Sequence, residues 1–247
     1  MANIVRHWKR ILAVGCSHGA YIDNIAAHAI QTFAERWKPK TVVHLGDFCD
    51  MTAFRAGAPG TRDESEPIRP DVASGLEFLG TIKPQFVFCG NHEARLFRLA
   101  DHYNSIVAEL AAGIIREIEQ TCRRLHAELI PYNIIRGHRM IGGYRYLHGY
   151  FFNELACRDH AETFGNCVHG HTHSAATARG RRIDSPRAFS VGTLARIPNL
   201  DYCLTRRKTL SWSQGFVWGE YCDNESVLWL HDNGQNIESH TWRLPIV

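Results

Sequence analysis

The chain has 247 residues, a 45% hydrophobic fraction and a formal net charge of +3. That length suffices for one large α/β domain, read here as residues 1–247, and the charge is too small to mark the whole chain as a nucleic-acid binder. No run approaches the ~20 apolar residues of a membrane span, and Arg6, Lys9 and Arg10 precede only a brief Ile11–Val14 run, not the long apolar segment of a signal peptide.

A cytoplasmic protein with no membrane partner is therefore expected. Eight cysteines without a C-x-x-C pair or regular spacing read as reduced thiols, most of them buried small hydrophobes.

In chain order, Ile11–Val14 reads as a strand, followed by a helix from about Asp23 to Trp37 with Ile25, Ala29, Ile30 and Phe33 on one face and Pro39 behind it. Thr41–Leu45 and Gln85–Cys89 are apolar without alternation, as interior parallel strands are. Between them, Arg55–Pro70 carries Gly57, Pro59, Gly60 and Pro67 and reads as an exposed loop or lid. Asp71 is placed to cap a short helix through Leu79. A helical pattern from Leu96 to about Glu128, interrupted near Asp101–Ser105, presents Ile106, Leu110, Ile114, Ile118 and Leu125 as a core stripe.

Beyond Pro131 the pattern changes to short strands: Tyr144–Leu147, Cys167–His169, Ala188–Val191, Gly215–Glu220, Ser226–His231 and Ile237–Trp242. With no repeat or linker between the halves, two sheets packed face to face with helices outside is the economical architecture. Trp212, Phe216, Trp218, Trp229 and Trp242 could stack on a base or sugar, but in alternating β segments they read first as core.

The chemistry lies in five short blocks, each after an apolar run: Cys16-Ser17-His18, Gly46-Asp47-Phe48-Cys49-Asp50, Gly90-Asn91-His92-Glu93, His148-Gly149 and Gly170-His171-Thr172-His173. Carboxyl ends of parallel strands line the ligand crevice of such folds, so carboxylate, imidazole and amide donors would gather at one sheet edge. Those donors suit divalent cations and outline a dinuclear centre. Gly15 and Gly19 permit the tight turn that would aim Cys16 and His18 at one point.

In order and spacing the blocks match the D-x-H, G-D-x-x-D, G-N-H-[DE], H-G and G-H-x-H series, and over roughly positions 11 to 175 the chain resembles the calcineurin-like metallophosphoesterase superfamily. The resemblance implies a four-layer α-β-β-α sandwich with two mixed sheets, two divalent ions (Mn, Fe or Zn), and phosphoester hydrolysis by a metal-bound hydroxide. Carried over by position, one ion would take Cys16, His18, Asp47 and His173, and the other Asp47, Asn91, His148 and His171. His92 would be the general acid and Asp50 the carboxylate that orients it, with Glu93 set behind the ligands.

Several positions depart from the family pattern. Cys16 stands where the family has Asp, either as a thiolate that biases one position toward Zn or Fe or as a thiol held off the metal. Met51-Thr52, Cys89 and Tyr150 replace residues typical of the protein phosphatases of this superfamily, and Glu93 replaces the Asp usual in its repair nucleases.

The expected activity is phosphoester hydrolysis, leaning to phosphodiesters with phosphomonoesters also open. Two other readings stand beside it: a metal-binding scaffold weakened at Cys16, and a nucleic-acid-processing phosphoesterase with Arg179, Arg181, Arg182 and Arg187 tracking the backbone. Arg95 and Arg98 are candidates to reach a phosphate. The Ser190–Thr193 turn is a candidate wall of the site.

Overall fold

Along the first strand, β1 (Lys9–Val14), Ile11 and Ala13 face one way and Leu12 and Val14 the other, and all four are buried. A strand covered on both faces needs apolar residues at every position, which is what its sequence supplies. The computed structural model describes residues 7–200, 207–235 and 241–247.

In it β1 is followed by α1 (Asn24–Trp37), β2 (Thr41–His44), α2 (Ile68–Ile82), β3 (Phe86–Phe88), α3 (Glu93–Leu99), α4 (Ser105–Leu125) and β4 (Glu128–Ile130). The second half contributes β5 (His138–Ile141), β6 (Tyr144–Leu147), α5 (Ala156–Phe164), β7 (Cys167–His169), β8 (Ala175–Arg179), β9 (Arg187–Val191), β10 (Gly215–Cys222) and β11 (Glu225–Asp232).

These strands form two mixed sheets, ordered β11-β10-β1-β2-β3-β4 and β5-β6-β7-β9-β8. Parallel pairing joins β1 through β4 in the first and β6, β7 and β9 in the second, while β10, β11, β5 and β8 run antiparallel to their neighbours. Ile11, Ala13, Val43, Leu45 and Phe88 meet Tyr146, Val168, Phe189 and Val191 between the sheets. On the outer side of the first sheet, α1, α2 and α4 cover Leu12, Val14, Val42 and Val87. Outside the second, Ala161 of α5 packs on Leu147, Cys167 and Ala188. The layers are thus helix, sheet, sheet, helix: a four-layer sandwich.

Several boundaries differ from the sequence expectation. Asp71 does not cap α2, which starts at Ile68 after Pro67 and takes Pro70 into its first turn, where a missing N–H costs nothing. The carboxylate of Asp71 instead accepts hydrogen bonds from the backbone of Ala20, Asp50 and Met51.

The long helix is interrupted where expected, at residues 100–104 between α3 and α4, but it starts at Glu93, ends at Leu125, and Glu128 belongs to β4. Ile106 is 76% exposed and Ile25 is 42% exposed, so neither joins the core face expected of it, whereas Ile114, Ile118, Ile30 and Phe33 do. Trp229 is also exposed, at 43%. Beyond the expected elements the structure adds β4, β5, α5 and β8; the Ile237–Trp242 strand lies largely outside the described residues. Among the described residues, no helix is long and apolar enough to cross a membrane.

Candidate metal centre

Because β1, β2 and β3 run parallel, the three loops that follow them emerge at one edge, and those after β6 and β7 emerge opposite, from the facing sheet. The first two loops are zipped together by the Cys16, His18 and Gly19 N–H groups, which donate to the carbonyls of Gly46, Asp47 and Phe48 at 2.9 Å each. Two cross-sheet bonds close the gap: His148 Nδ1 to the Leu45 carbonyl at 2.6 Å, and the His171 N–H to Cys16 Sγ at 3.1 Å.

Close approach explains the glycines of the second and third blocks. A Cβ on Gly46 would lie 2.6 Å from His148 Nδ1, and one on Gly90 would lie 2.0 Å from Asp47 Oδ1.

Three donor groups result. Cys16, His18, Asp47 and His173 bring one ligand atom each within 4.8 Å of one another, as do Asp47, His148 and His171, and as do His18, Asp50 and His92. Asn91 Oδ1 stands 3.0 Å from His148 Nε2. All nine residues singled out from the sequence are therefore gathered at one place, with Asp47 common to two groups. Cys16, His18, Asp47, His171 and His173 all have left-handed backbone, φ between 52° and 68°. Each such non-glycine residue costs on the order of 1–3 kcal/mol, strain that concentrates at functional sites.

Hydrogen-bond logic tests whether a cation fits. A carbonyl only accepts, so His148 must donate from Nδ1 to Leu45, leaving the neutral ring with a lone pair on Nε2. That lone pair faces Asp47 Oδ2 at 3.2 Å. His18 likewise bonds the Asp50 carboxylate through Nδ1 at 2.7 Å and turns Nε2 to His173 Nε2 at 2.9 Å. Acceptors opposed in this way repel unless a positive charge lies among them, and a ring nitrogen anchored by a carboxylate or carbonyl is the usual support of a metal-ligating histidine. The residues fit divalent cations.

Without a cation, protons take its place among these groups. Burial works to raise the Asp47 carboxyl, but His148, His92 and His18 outweigh it and hold the group well below the usual carboxylate range. Burial works to lower His148, and Asp47 overcomes this and raises it. Burial pushes His171 down to about 3 and the Cys16 thiol up, with Asp47 adding to the latter. The Asp50 carboxylate accepts from His18 Nδ1 and from Thr52 Oγ1; His92 Nδ1 lies 3.4 Å from that carboxylate and bonds the Asp50 backbone carbonyl. Behind them the buried Glu93 carboxylate accepts the N–H groups of Asp47, Cys49 and Gly90 at 2.7–3.0 Å, binding second and third loops together.

Asp47, Asn91, His92, His171 and His173 face a cleft of about 680 Å³ walled by Phe152, Lys208 and Trp212. Trp212, read from sequence as core, is 9% exposed and meets the His173 ring edge-on at 4.4 Å. Tyr132, which no pattern marked, lies 5.6 Å from the His148 ring and donates to the Gly149 carbonyl. The Ser190–Thr193 turn underlies the site, with Thr193 donating to the Cys16 carbonyl at 2.7 Å and Ser190 sharing a hydrogen bond with Thr172. Arg95 donates to the Asp50 and Met51 carbonyls and is a structural strut. In the β8–β9 hairpin the Ala175–Val191 pair adjoins the site and the Arg179–Arg187 pair ends the ladder, about 13 Å further on at ~3.3 Å per residue. The basic group therefore does not face the centre.

A family model for calcineurin-like phosphoesterases matches residues 9–175, which takes in all five blocks. The chain belongs to the calcineurin-like phosphoesterase family. As a member it is a metal-dependent hydrolase of phosphoesters.

Among solved structures it is similar to Yfce, a phosphoesterase from E. coli, at 16% identity and a TM-score of 0.40, covering 85% of this chain and 91% of that one. It is also similar to a phosphatase from Mycoplasma pneumoniae, at 12% identity and a TM-score of 0.43, covering 92% and 95%. Vacuolar protein sorting 29 from Cryptosporidium parvum gives 10% identity and a TM-score of 0.43, covering 92% and 98%. No curated protein matches this phosphoesterase by sequence.

Proposed function

We propose that this phosphoesterase binds two divalent ions, drawn from Mn, Fe and Zn, and hydrolyses phosphodiesters in preference to monoesters. Cys16, His18, Asp47 and His173 hold one ion, and Asp47, Asn91, His148 and His171 hold the other. The observation that carries this reading is the convergence of ligand-type atoms on Asp47, His148 Nε2 at 3.2 Å on one side and the Cys16–His18–His173 group on the other. When bound, such ions polarise phosphoryl oxygens and acidify an attacking water.

The chain's own part is to fix these donors and to manage a proton. His92 donates from Nδ1 to the Asp50 carbonyl, which leaves Nε2 as the end that can exchange a proton with substrate in the cleft. Burial pushes His92 down to about 4, while Asp47 and Asp50 pull it upward. An arriving phosphoryl anion acts in the same upward direction, so Nε2 is protonated most readily when substrate is present and can then protonate the departing oxygen. Asp50 steadies both rings, His18 through its carboxylate and His92 through its carbonyl.

One feature supports a diester. Asn91 borders the cleft and also a second cavity of about 450 Å³, so a phosphorus beside Asn91 has room for a substituent in each. Beyond the family match, β10 pairs with β1, so residues from the C-terminal third complete the first sheet, which supports the reading of residues 1–247 as one domain. Free thiols at all seven described cysteines accord with a reducing, cytoplasmic setting.

The test is hydrolysis of bis-p-nitrophenyl phosphate and p-nitrophenyl phosphate after reconstitution with each metal. Faster turnover of the diester is expected. Turnover of neither ester with any metal sinks the proposal, and faster turnover of the monoester overturns its diester half.

A further inference from the structure

The second cavity differs chemically from the cleft. It is lined by Asn91, Phe97, Arg98, Tyr132, Asn133 and Arg136 among others, and no carboxylate borders it. Arg98 and Arg136 are both exposed, and neither side chain forms an ion pair or hydrogen bond with any described residue. The neighbouring cations are engaged: Arg95 on two carbonyls, Arg207 at 3.6 Å from Glu154, and Lys208 on the Phe152 carbonyl. The two unengaged guanidiniums therefore belong to one cavity, which Asn91 also borders and Phe152 and Trp212 do not.

Their mounting is firm. Ala94 and Arg98, four apart on α3, share the helix face that borders the cavity. Arg136 follows a turn in which Asn133 Oδ1 accepts the N–H groups of Ile135 and Arg136 and the Gly137 N–H closes onto the Asn133 carbonyl. Tyr132 stacks on Tyr150 at 5.0 Å and anchors the wall between this cavity and His148. Two like charges on one cavity without a bordering counter-charge favour an anion there, and planar guanidiniums match phosphate oxygens two at a time.

We propose that this cavity is an anion subsite: the substrate is a phosphoester carrying a second phosphate, which Arg98 and Arg136 bind while the scissile group lies at Asp47. The inference rests on reading the Asp47 cluster as the cleaving centre. Arg98 and Arg136 then determine specificity without touching the reacting atoms.

The probe pair is the p-nitrophenyl ester of thymidine 5′-phosphate with and without a 3′-phosphate, assayed as a ratio within each protein. The wild type is expected to favour the 3′-phosphorylated ester by roughly tenfold or more in kcat/KM, chiefly through KM, and the Arg98→Gln/Arg136→Gln variant to lose that preference. Equal kcat/KM for the pair in the wild type, or an undiminished preference in the variant, overturns the subsite. Equilibrium dialysis with thymidine 3′,5′-bisphosphate reads binding apart from turnover. A Kd raised roughly tenfold in the variant supports the subsite even if neither ester is cleaved, and an unchanged Kd refutes it. Absence of cleavage alone counts against the functional reading and leaves the binding result to decide the subsite. The unfolding midpoint of the variant, matched to the wild type, secures the comparison.

Discussion

His148 and Asp47 come from different sheets and meet at 3.2 Å, with the opposite nitrogen of the histidine held by the Leu45 carbonyl at 2.6 Å. The second bond decides what the first can be: with Nδ1 donating, Nε2 meets Asp47 either through a proton or, when the ring is neutral, through a lone pair that a divalent cation would share with the carboxylate. Because Asp47 also belongs to the Cys16 group, Asp47→Asn is expected to deplete both metal positions, whereas His148→Ala depletes one. Metal per chain by mass spectrometry checks this. Two ions retained in the Asp47 variant would end the sharing argument.

Cys16 Sγ accepts the His171 N–H and lies with three ligand-type atoms, although burial keeps its thiol protonated when no cation is near. Cobalt substitution is expected to show a thiolate-to-metal charge-transfer band that disappears in Cys16→Ser. Cys16→Asp is expected to move metal preference toward Mn, the harder ion. Unaltered metal preference together with absence of the band shows that sulfur does not coordinate.

His92 and Asp50 separate proton transfer from metal holding. His92→Gln is expected to keep its metals and lose about 10²–10⁴-fold in turnover. Asp50→Asn releases the His18 ring and is expected to lower metal affinity by about 10–100-fold. Competition with a chelator measures the second effect, and kcat on metal-saturated protein measures the first.

A row of histidines behind the centre predicts acid sensitivity. The Tyr150 N–H donates to His160 Nε2 at 2.9 Å and His160 Nδ1 donates to the Ala156 carbonyl at 2.7 Å, so the ring is held neutral. Burial pushes its pKa from the ordinary 6.5 down to about 4. The unfolded chain therefore binds this proton first, and the stability it confers is complete above pH ~6.5 and declines as pH falls toward about 4. About 2 kcal/mol should be lost between pH 7 and pH 5 from this group. Urea midpoints at the two pH values test it: His160→Gln should narrow the difference, and an equal difference in both proteins rules the assignment out.

Gly90 tests the packing of the loops. An added methyl would press on Asp47 Oδ1 and the Asp47 backbone nitrogen, so Gly90→Ala is expected to cost about 1–3 kcal/mol and to weaken metal binding together. Loss of stability without loss of metal would show that the Asp47 loop tolerates the shift.

The elements read best from sequence are those whose local signal is unopposed. β6 and β7 lie on their expected residues, and β1 and β2 differ by two and one residues at an end, because short apolar runs ending next to a donor block admit few alternatives. α5 and β8 were not legible: the first is short and polar on much of its surface, and Ala175-Ala176-Thr177-Ala178-Arg179 owes its strand to pairing with β9. Asp71 looked like a helix cap because its partners Ala20, Asp50 and Met51 are about 20 to 50 positions away.

By itself the sequence determined the family, the identity of the donors and their place at strand ends, since residue type and spacing along parallel strands suffice for that. Only the tertiary structure decided which lone pairs face Asp47, which carbonyl or carboxylate fixes each ring, and which arginines stay unengaged. Those properties depend on atoms brought from the opposing sheet and from neighbouring loops, and on left-handed backbone that packing alone sustains.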